Sequence, residues 1–273
     1  VGALAVPFIL LVLVVTGIVI FMVLGSGGRG GGERAEDESP SLSAVWSYGN
    51  GTSTVIRIPV TGIISREPEA EWFVMRENST DRILRQIQAA AADEQVRGLI
   101  LEIDSPGGSV TACDEIHHAL RDFKIRDPQR VIVAILGDVA ASGGYYIACA
   151  SDYIIAQPTT VSGSIGVLIS SLNFKGLGQK LGVEDVTIKS GPNKDLLNPL
   201  GELTLEQRAM LQEIVDDLHQ RFVRLVAQGR RLPIEDLREI CDGRVFSSRR
   251  AMDYKLVDQI GYWHDAVMKT GEL

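Results

Sequence analysis

Within "GDVAASGGYYIACA", residues 137–150, a single serine stands among small residues. Ala140 and Ala141 precede Ser142, and Gly143 and Gly144 come after it. Small neighbours leave a hydroxyl uncovered and let a second backbone approach. That arrangement suits a nucleophile, and it equally suits a tight packing turn. A serine nucleophile needs a base to take its proton and N–H donors aimed at the oxyanion that forms. Gly143 lies directly after the serine at the start of an expected helix, where N–H groups are free and the dipole favours negative charge. A second glycine loop, "DSPGGS" at 104–109, could present another N–H from Gly107 or Gly108, because a residue without Cβ admits a carbonyl closely. A phosphate cradle is a poorer match, since the string has no G-K-[ST] after it and the glycine spacing differs.

The base is harder to read. The four histidines are His117, His118, His219 and His264, and none lies between residues 119 and 218, the region after the serine. Their positions suit surface or packing roles. Lysine is the other choice: "IKSGPNKDLLNP" at 188–199 offers Lys189 on an expected strand and Lys194 after a turn. A lysine base must be uncharged, and burial favours that form. "TVSGSIGV" at 160–167 adds Ser162 and Ser164, either of which could orient an amine or simply make a turn. Residue types alone leave the base open.

The elements that must position these residues alternate. "TVIRIPVTGII" at 54–64 reads as a strand near period two. Residues 79–92 place Ile83, Leu84, Ile87 and Ala91 on one helical stripe. "RGLILEID" at 97–104 and "RVIVAIL" at 130–136 are apolar runs of the kind buried on both sheet faces. A helix from Val110 to Phe123 separates them, "GGYYIACA" opens another, and "DYIIAQ" and "DVTIKS" at 185–190 read as further strands. Thr204 and Gln207 form a capping box that opens a helix to about Gln228, and a shorter helix is expected from Pro233 to Cys241. "FSSRRAMDYKLVDQIG" reads as one more helix and a short strand. Such alternation implies an α/β fold with parallel pairing and right-handed crossovers. Both glycine loops then fall at the carboxyl ends of strands, where such sheets place ligands.

The first 28 residues carry no charge. As a helix, residues 1–25 would span roughly 36 Å, enough to cross a hydrocarbon core of about 30 Å. The run is longer than a cleavable signal usually carries and lacks an Ala-x-Ala end, so a retained anchor is the better reading. "GSGGRGGGERAEDESPS" at 25–41 is a glycine-rich, then acidic stretch that cannot bury enough apolar surface to fold. The expected organisation is an anchor at 1–25, a linker at 26–48 and a catalytic domain at 49–273. Net charge is −8, which argues against a nucleic-acid partner. Cys113, Cys149 and Cys241 have no metal or redox spacing and read as buried hydrophobes.

Four segments, "LEIDSPGGSV", "GDVAASGGYYIACASDYIIAQPTTVSGSIGV", "IKSGPNKDLLNP" and "DGRVFSSRRAMDYKLVDQIG", resemble in order and spacing the signal peptide peptidase A family, the membrane-bound serine–lysine proteases. The resemblance covers most of the chain after the linker. It implies a crotonase-like α/β fold related to the Clp protease. It assigns Ser142 as nucleophile, Lys194 as general base and Ser164 as the hydroxyl that positions the lysine. It places the oxyanion hole at Gly108 and Gly143, with the choice between Gly107 and Gly108 open. It further implies cleavage of leftover signal peptides and other membrane-derived peptides outside the cytoplasm. Neither a cofactor nor a metal is expected, and the single copy of the fold resembles short members that form homo-oligomeric rings or domes. Two rival readings share these features: an acyl-CoA enzyme on the same fold, and a membrane-tethered scaffold that only binds peptides.

Overall fold

The computed structural model describes residues 53–67, 69–71, 74–76 and 78–273. The expected anchor at 1–25 and linker at 26–48 lie outside the described residues. Among the described residues no helix is long and apolar enough to cross a membrane.

The described chain runs β1 (Thr54–Ile64), β2 (Glu69–Glu71), β3 (Val74–Arg76), α1 (Ser79–Ala92), β4 (Val96–Gly108) and α2 (Val110–Arg126). It continues with β5 (Val131–Ala141), α3 (Gly143–Ala148), β6 (Tyr153–Ala156), β7 (Val161–Gly163) and α4 (Lys175–Leu181). The last elements are α5 (Leu205–Arg230), α6 (Ile234–Leu237), β8 (Val245–Ser247), α7 (Ser248–Asp253), β9 (Gln259–Ile260) and α8 (Trp263–Glu272). The main sheet has the order β1-β4-β5-β6-β9, paired in parallel throughout. β7 adds in parallel to the far end of β5, and β8 pairs antiparallel with β7. β2 and β3 form a separate antiparallel hairpin. This is the parallel-sheet α/β fold that the alternation implied, consistent with the Clp protease type that the resemblance implied.

The apolar runs of β4 and β5 are buried on both faces because each face has its own cover. Leu99, Leu101 and Ile103 join Ile132, Ala134 and Leu136 in the larger core, with α1, α2 and α3. The intervening Ile100, Val133 and Ile135 face Ile155 and Ala266, the latter on α8. Period-two alternation thus puts successive residues of one strand into two different cores.

Two expectations are corrected. "DVTIKS" is not a strand: residues 185–190 carry no ladder, and Val186 and Ile188 are 85% and 98% exposed. A strand needs a partner for its N–H and C=O groups, and the described residues offer none at this place. The helix expected from Pro233 to Cys241 ends at Leu237. There Ile240 N–H and Cys241 N–H both donate to Leu237 O, closing the chain into turns. The capping box is present: Thr204 Oγ1 accepts from Gln207 N–H at 3.1 Å, and Gln207 Oε1 accepts from Thr204 N–H at 3.1 Å.

Candidate active site

The sheet kinks where the site begins. β4 and β5 stay in register to Ile103 and Leu136, then resume at Ser105 and Ala140. Residues 137–139 of β5 therefore stand against the single Asp104, whose Oδ1 accepts Val139 N–H at 3.0 Å and holds them. A bulge of this kind re-aims the strand beyond it. Here it re-aims the chain into Ser142, which has φ 50° and ψ −120°. This is a left-handed setting that a residue with a Cβ adopts at a cost of about 1–3 kcal/mol. Ser142 N–H donates to Gly163 O at 2.9 Å on β7, and Ser142 O accepts Tyr146 N–H at 2.9 Å as the first turn of α3. Tyr145 and Ile147 are fully buried and fix α3 in the core; Tyr145 Oη also donates to Leu256 O at 2.7 Å. The strained serine is held from both sides, and its hydroxyl is half-buried with no hydrogen-bond partner among the described residues.

The two glycine loops meet here. Gly107 has φ +105°, and a Cβ on it would lie 2.6 Å from Gly143 N and 2.9 Å from Ser142 Cβ. Only glycine tolerates both the backbone angle and the approach. A Cβ on Gly143 would lie 3.2 Å from Gly108 N and would collide with Cys113 Sγ. The Gly108 peptide and the first peptide of α3 are thus neighbours beside Ser142.

Two further residues shape this arrangement: Ser105, not singled out in the sequence, and Cys113, which is buried as the sequence implied. Ser105 is fully buried; its Oγ donates to Gly62 O at 2.6 Å and accepts Gly107 N–H at 3.1 Å. Ser109 N–H donates to Ile64 O at 2.8 Å. The N–H groups on either side of Gly108 are therefore both engaged. Cys113, on α2, is 1% exposed, and burial, with a smaller push from the nearby Asp114, raises its thiol to about 12. It is a packing sulfur, not a rival nucleophile. The serine in "DSPGG" was a visible polar residue in a turn-like string; only the fold shows which carbonyl and which N–H it joins.

The remaining candidates separate. Ser162 is fully buried, and its hydroxyl donates to Ala140 O at 2.8 Å, so it is a strand-locking residue. Ser164 is half-buried at φ 49°, its N–H donating to Arg244 O at 2.7 Å, and its hydroxyl has no partner among the described residues. Lys194 lies on an exposed turn, its N–H donating to Gly191 O at 3.3 Å. Among the described residues no hydrogen bond or ion pair joins Lys194 to Ser142 or Ser164. Lys189 pairs instead with Asp195 at 2.7 Å.

Lys194 belongs to a long exposed arm, residues 168–203, that is held by its own polar bonds. Asn173 Nδ2 donates to Gly201 O at 2.7 Å, and Asn198 Nδ2 donates to Asp185 Oδ2 at 2.6 Å. Gln207 Nε2, from the first turn of α5, donates to Pro192 O at 2.9 Å. Several of the arm's large apolar side chains face outward: Leu168, Leu172, Leu181, Val186 and Ile188 are each more than two-thirds exposed.

No imidazole is hydrogen-bonded to Ser142 among the described residues. His219 Nε2 lies 2.7 Å from Cys241 O, and His118 faces Asp122 at 3.4 Å on the surface. His117 stacks edge-on against Tyr146, with centroids 5.5 Å apart.

Comparison with known proteins gives the chain its family. Residues 124–273, more than half the chain and including Ser142, Ser164 and Lys194, match the model of peptidase family S49. The chain belongs to peptidase family S49. Residues 73–160, with both glycine loops, also match the Clp protease model. A protein of Enterococcus faecium bearing the name signal peptide peptidase SppA is 38% identical over 80% of this chain and 63% of its own length. A Synechocystis protein named as a protease is 36% identical over 81% of this chain and 75% of its own. Protease 4 of Salmonella typhi is 33% identical over 71% of this chain but only 31% of its own. The chain therefore spans less than two thirds of the first of these S49 relatives.

Proposed function

We propose that this S49 chain is a membrane-anchored serine endopeptidase that cleaves remnant signal peptides and other membrane-derived peptides on the extracytoplasmic side. The observation that carries the reading is Ser142 itself: a positive-φ serine at the carboxyl end of a central parallel strand, followed by Gly143 and faced by the Gly107–Gly108 loop. Uncharged Lys194 takes the Ser142 proton as the hydroxyl attacks the peptide carbonyl. The oxyanion is held by the N–H groups of Gly143 and Gly108. Gly108 is favoured over Gly107, because Gly107 N–H is engaged by Ser105 Oγ. Lys194 then protonates the leaving amine, and water releases the acyl group, with Ser164 orienting the lysine. The uncharged run at 1–25 is the anchor and the glycine-rich stretch at 26–48 its tether.

The arm bearing Lys194 supports a homo-oligomer in which one protomer's lysine serves a neighbour's serine. Its outward apolar side chains want a cover, and residues 185–190 want a strand partner. The test is complementation. Ser142→Ala and Lys194→Ala should each abolish peptide hydrolysis, and mixing the two inactive proteins should restore a fraction of it. Full activity of Lys194→Ala would overturn the dyad; two dead variants that never complement would place the dyad within one chain.

A further inference from the structure

Behind the nucleophile's helix lies a cleft of about 430 Å³ that the proposed reaction does not use. It is walled by α2, the C-terminal end of α3 with the turn after it, and the last turns of α5. Arg121, Lys124, Arg230 and Arg231 line it against two carboxylates, Asp152 and Asp258. Both carboxylates are engaged. Asp152 accepts from Lys124 and, at 2.9 Å, from Ile132 N–H. Asp258 accepts Ile154 N–H at 2.8 Å and both terminal nitrogens of Arg230, at 2.9 and 2.6 Å.

Four groups are left over, and all can donate. The side chains of Arg121 and Arg231 form no ion pair or hydrogen bond among the described residues. His117 is only 8% exposed, yet its ring makes no hydrogen bond among the described residues; it also lines an adjoining cleft of about 410 Å³ together with Arg121. Ser151 is 7% exposed and its buried hydroxyl has no partner among the described residues. Buried polar groups ordinarily find partners, and the unpartnered Ser151 hydroxyl in the wall of this cleft calls for an explanation. In a chain of net charge −8, a pocket with two uncompensated guanidinium groups is also out of keeping with the surface at large.

We propose that this cleft binds a phosphoryl anion, gripped by Arg121 and Arg231 with hydrogen bonds from His117 and Ser151. A phosphate offers several acceptor oxygens to donors that converge from three elements, and guanidinium groups suit it. The source could be a soluble phosphate ester or the head of an anionic phospholipid; the recognition chemistry is the same. This site is independent of the peptidase reading, because no residue of it touches Ser142.

The test is titration of the full-length, detergent-solubilised protein with inorganic phosphate at constant ionic strength, monitoring the His117 imidazole by NMR. A saturable shift is expected, weakened about tenfold or more in Arg121→Gln and in Arg231→Gln, and also in Ser151→Ala. The two arginines are exposed, so their variants carry the test should Ser151→Ala misfold. A parallel titration compares short-chain phosphatidylglycerol with phosphatidylcholine. Tighter saturation by the anionic lipid than by phosphate, lost in Arg121→Gln, identifies a headgroup; saturation by phosphate alone identifies a soluble ligand. Absence of a saturable shift with every probe, or binding that both arginine variants leave unchanged, overturns the proposal.

Discussion

The sulfur of Cys113 occupies the place a side chain on Gly143 would need. A helix far from the nucleophile in sequence therefore sets how the first turn of α3 lies, and with it where the Gly143 N–H points. Gly143→Ala should fold but lose at least about a hundredfold in rate, the scale of removing one oxyanion donor. Cys113→Ala alone should be nearly silent in activity, and the double variant should recover part of the loss. Peptide turnover with thermal melts of all three proteins checks this; a double variant no better than Gly143→Ala would show that the sulfur is not the obstacle.

Ser105→Ala releases Gly107 N–H and leaves Gly62 O without its 2.6 Å donor. The expected stability loss is about 1–3 kcal/mol, read by denaturant unfolding. The expected catalytic effect is a fall in kcat with KM nearly unchanged, because the freed loop no longer fixes Gly108. A variant that loses stability but keeps kcat would make Ser105 a folding residue only.

His117 gives the fold a pH dependence. Burial, and then the positive Arg121, lower its pKa to about 4, with Arg221 and His118 adding to the effect and Asp114 opposing it. The unfolded chain thus binds a proton that the folded chain refuses between about pH 6.5 and about pH 4. Stability is full above the unfolded value and is lost as pH falls through that window, by at most about 3 kcal/mol. His117→Phe should flatten this part of the unfolding profile. A profile unchanged by the substitution would assign the acid sensitivity to other groups.

A lysine base acts uncharged, so peptide hydrolysis should rise as pH increases from about 6 to about 9. Lys194→Arg should be inactive, since guanidinium does not give up its proton in this range. Activity that falls steadily over the same interval would exclude Lys194 as the base.

Replacing Val186 and Ile188 by serine removes apolar surface that is 85% and 98% exposed in one protomer. It should leave the monomer's melting unchanged while shifting light-scattering mass toward single chains. Loss of assembly and of turnover together, with Ser142 intact, is the expected pair of results.

Much of this was legible in the chain itself, for identifiable reasons. The runs 97–104 and 130–136 are too apolar for one-sided burial, and they became the two central strands. The capping box of Thr204 and Gln207 is a local device, so it survived unaltered into α5. "DVTIKS" misled because β-branched alternation signals a strand without saying whether an edge is available to receive it. The C-terminal helix α8, which covers the second face of the sheet, carries a mixed sequence, and no element was expected there. At the site, Ser142 and the glycines stood out by type. Ser105 and Cys113 act through contacts across 43 residues or a neighbouring helix, which no spacing rule reveals.

The exposed position of Lys194 carries one more consequence. If its working partner sits on another copy, a freshly made, solitary chain is a silent one. Hydrolysis then scales with a power of concentration greater than one, and crowding of the copies becomes the trigger. Dilution would serve as a safety catch.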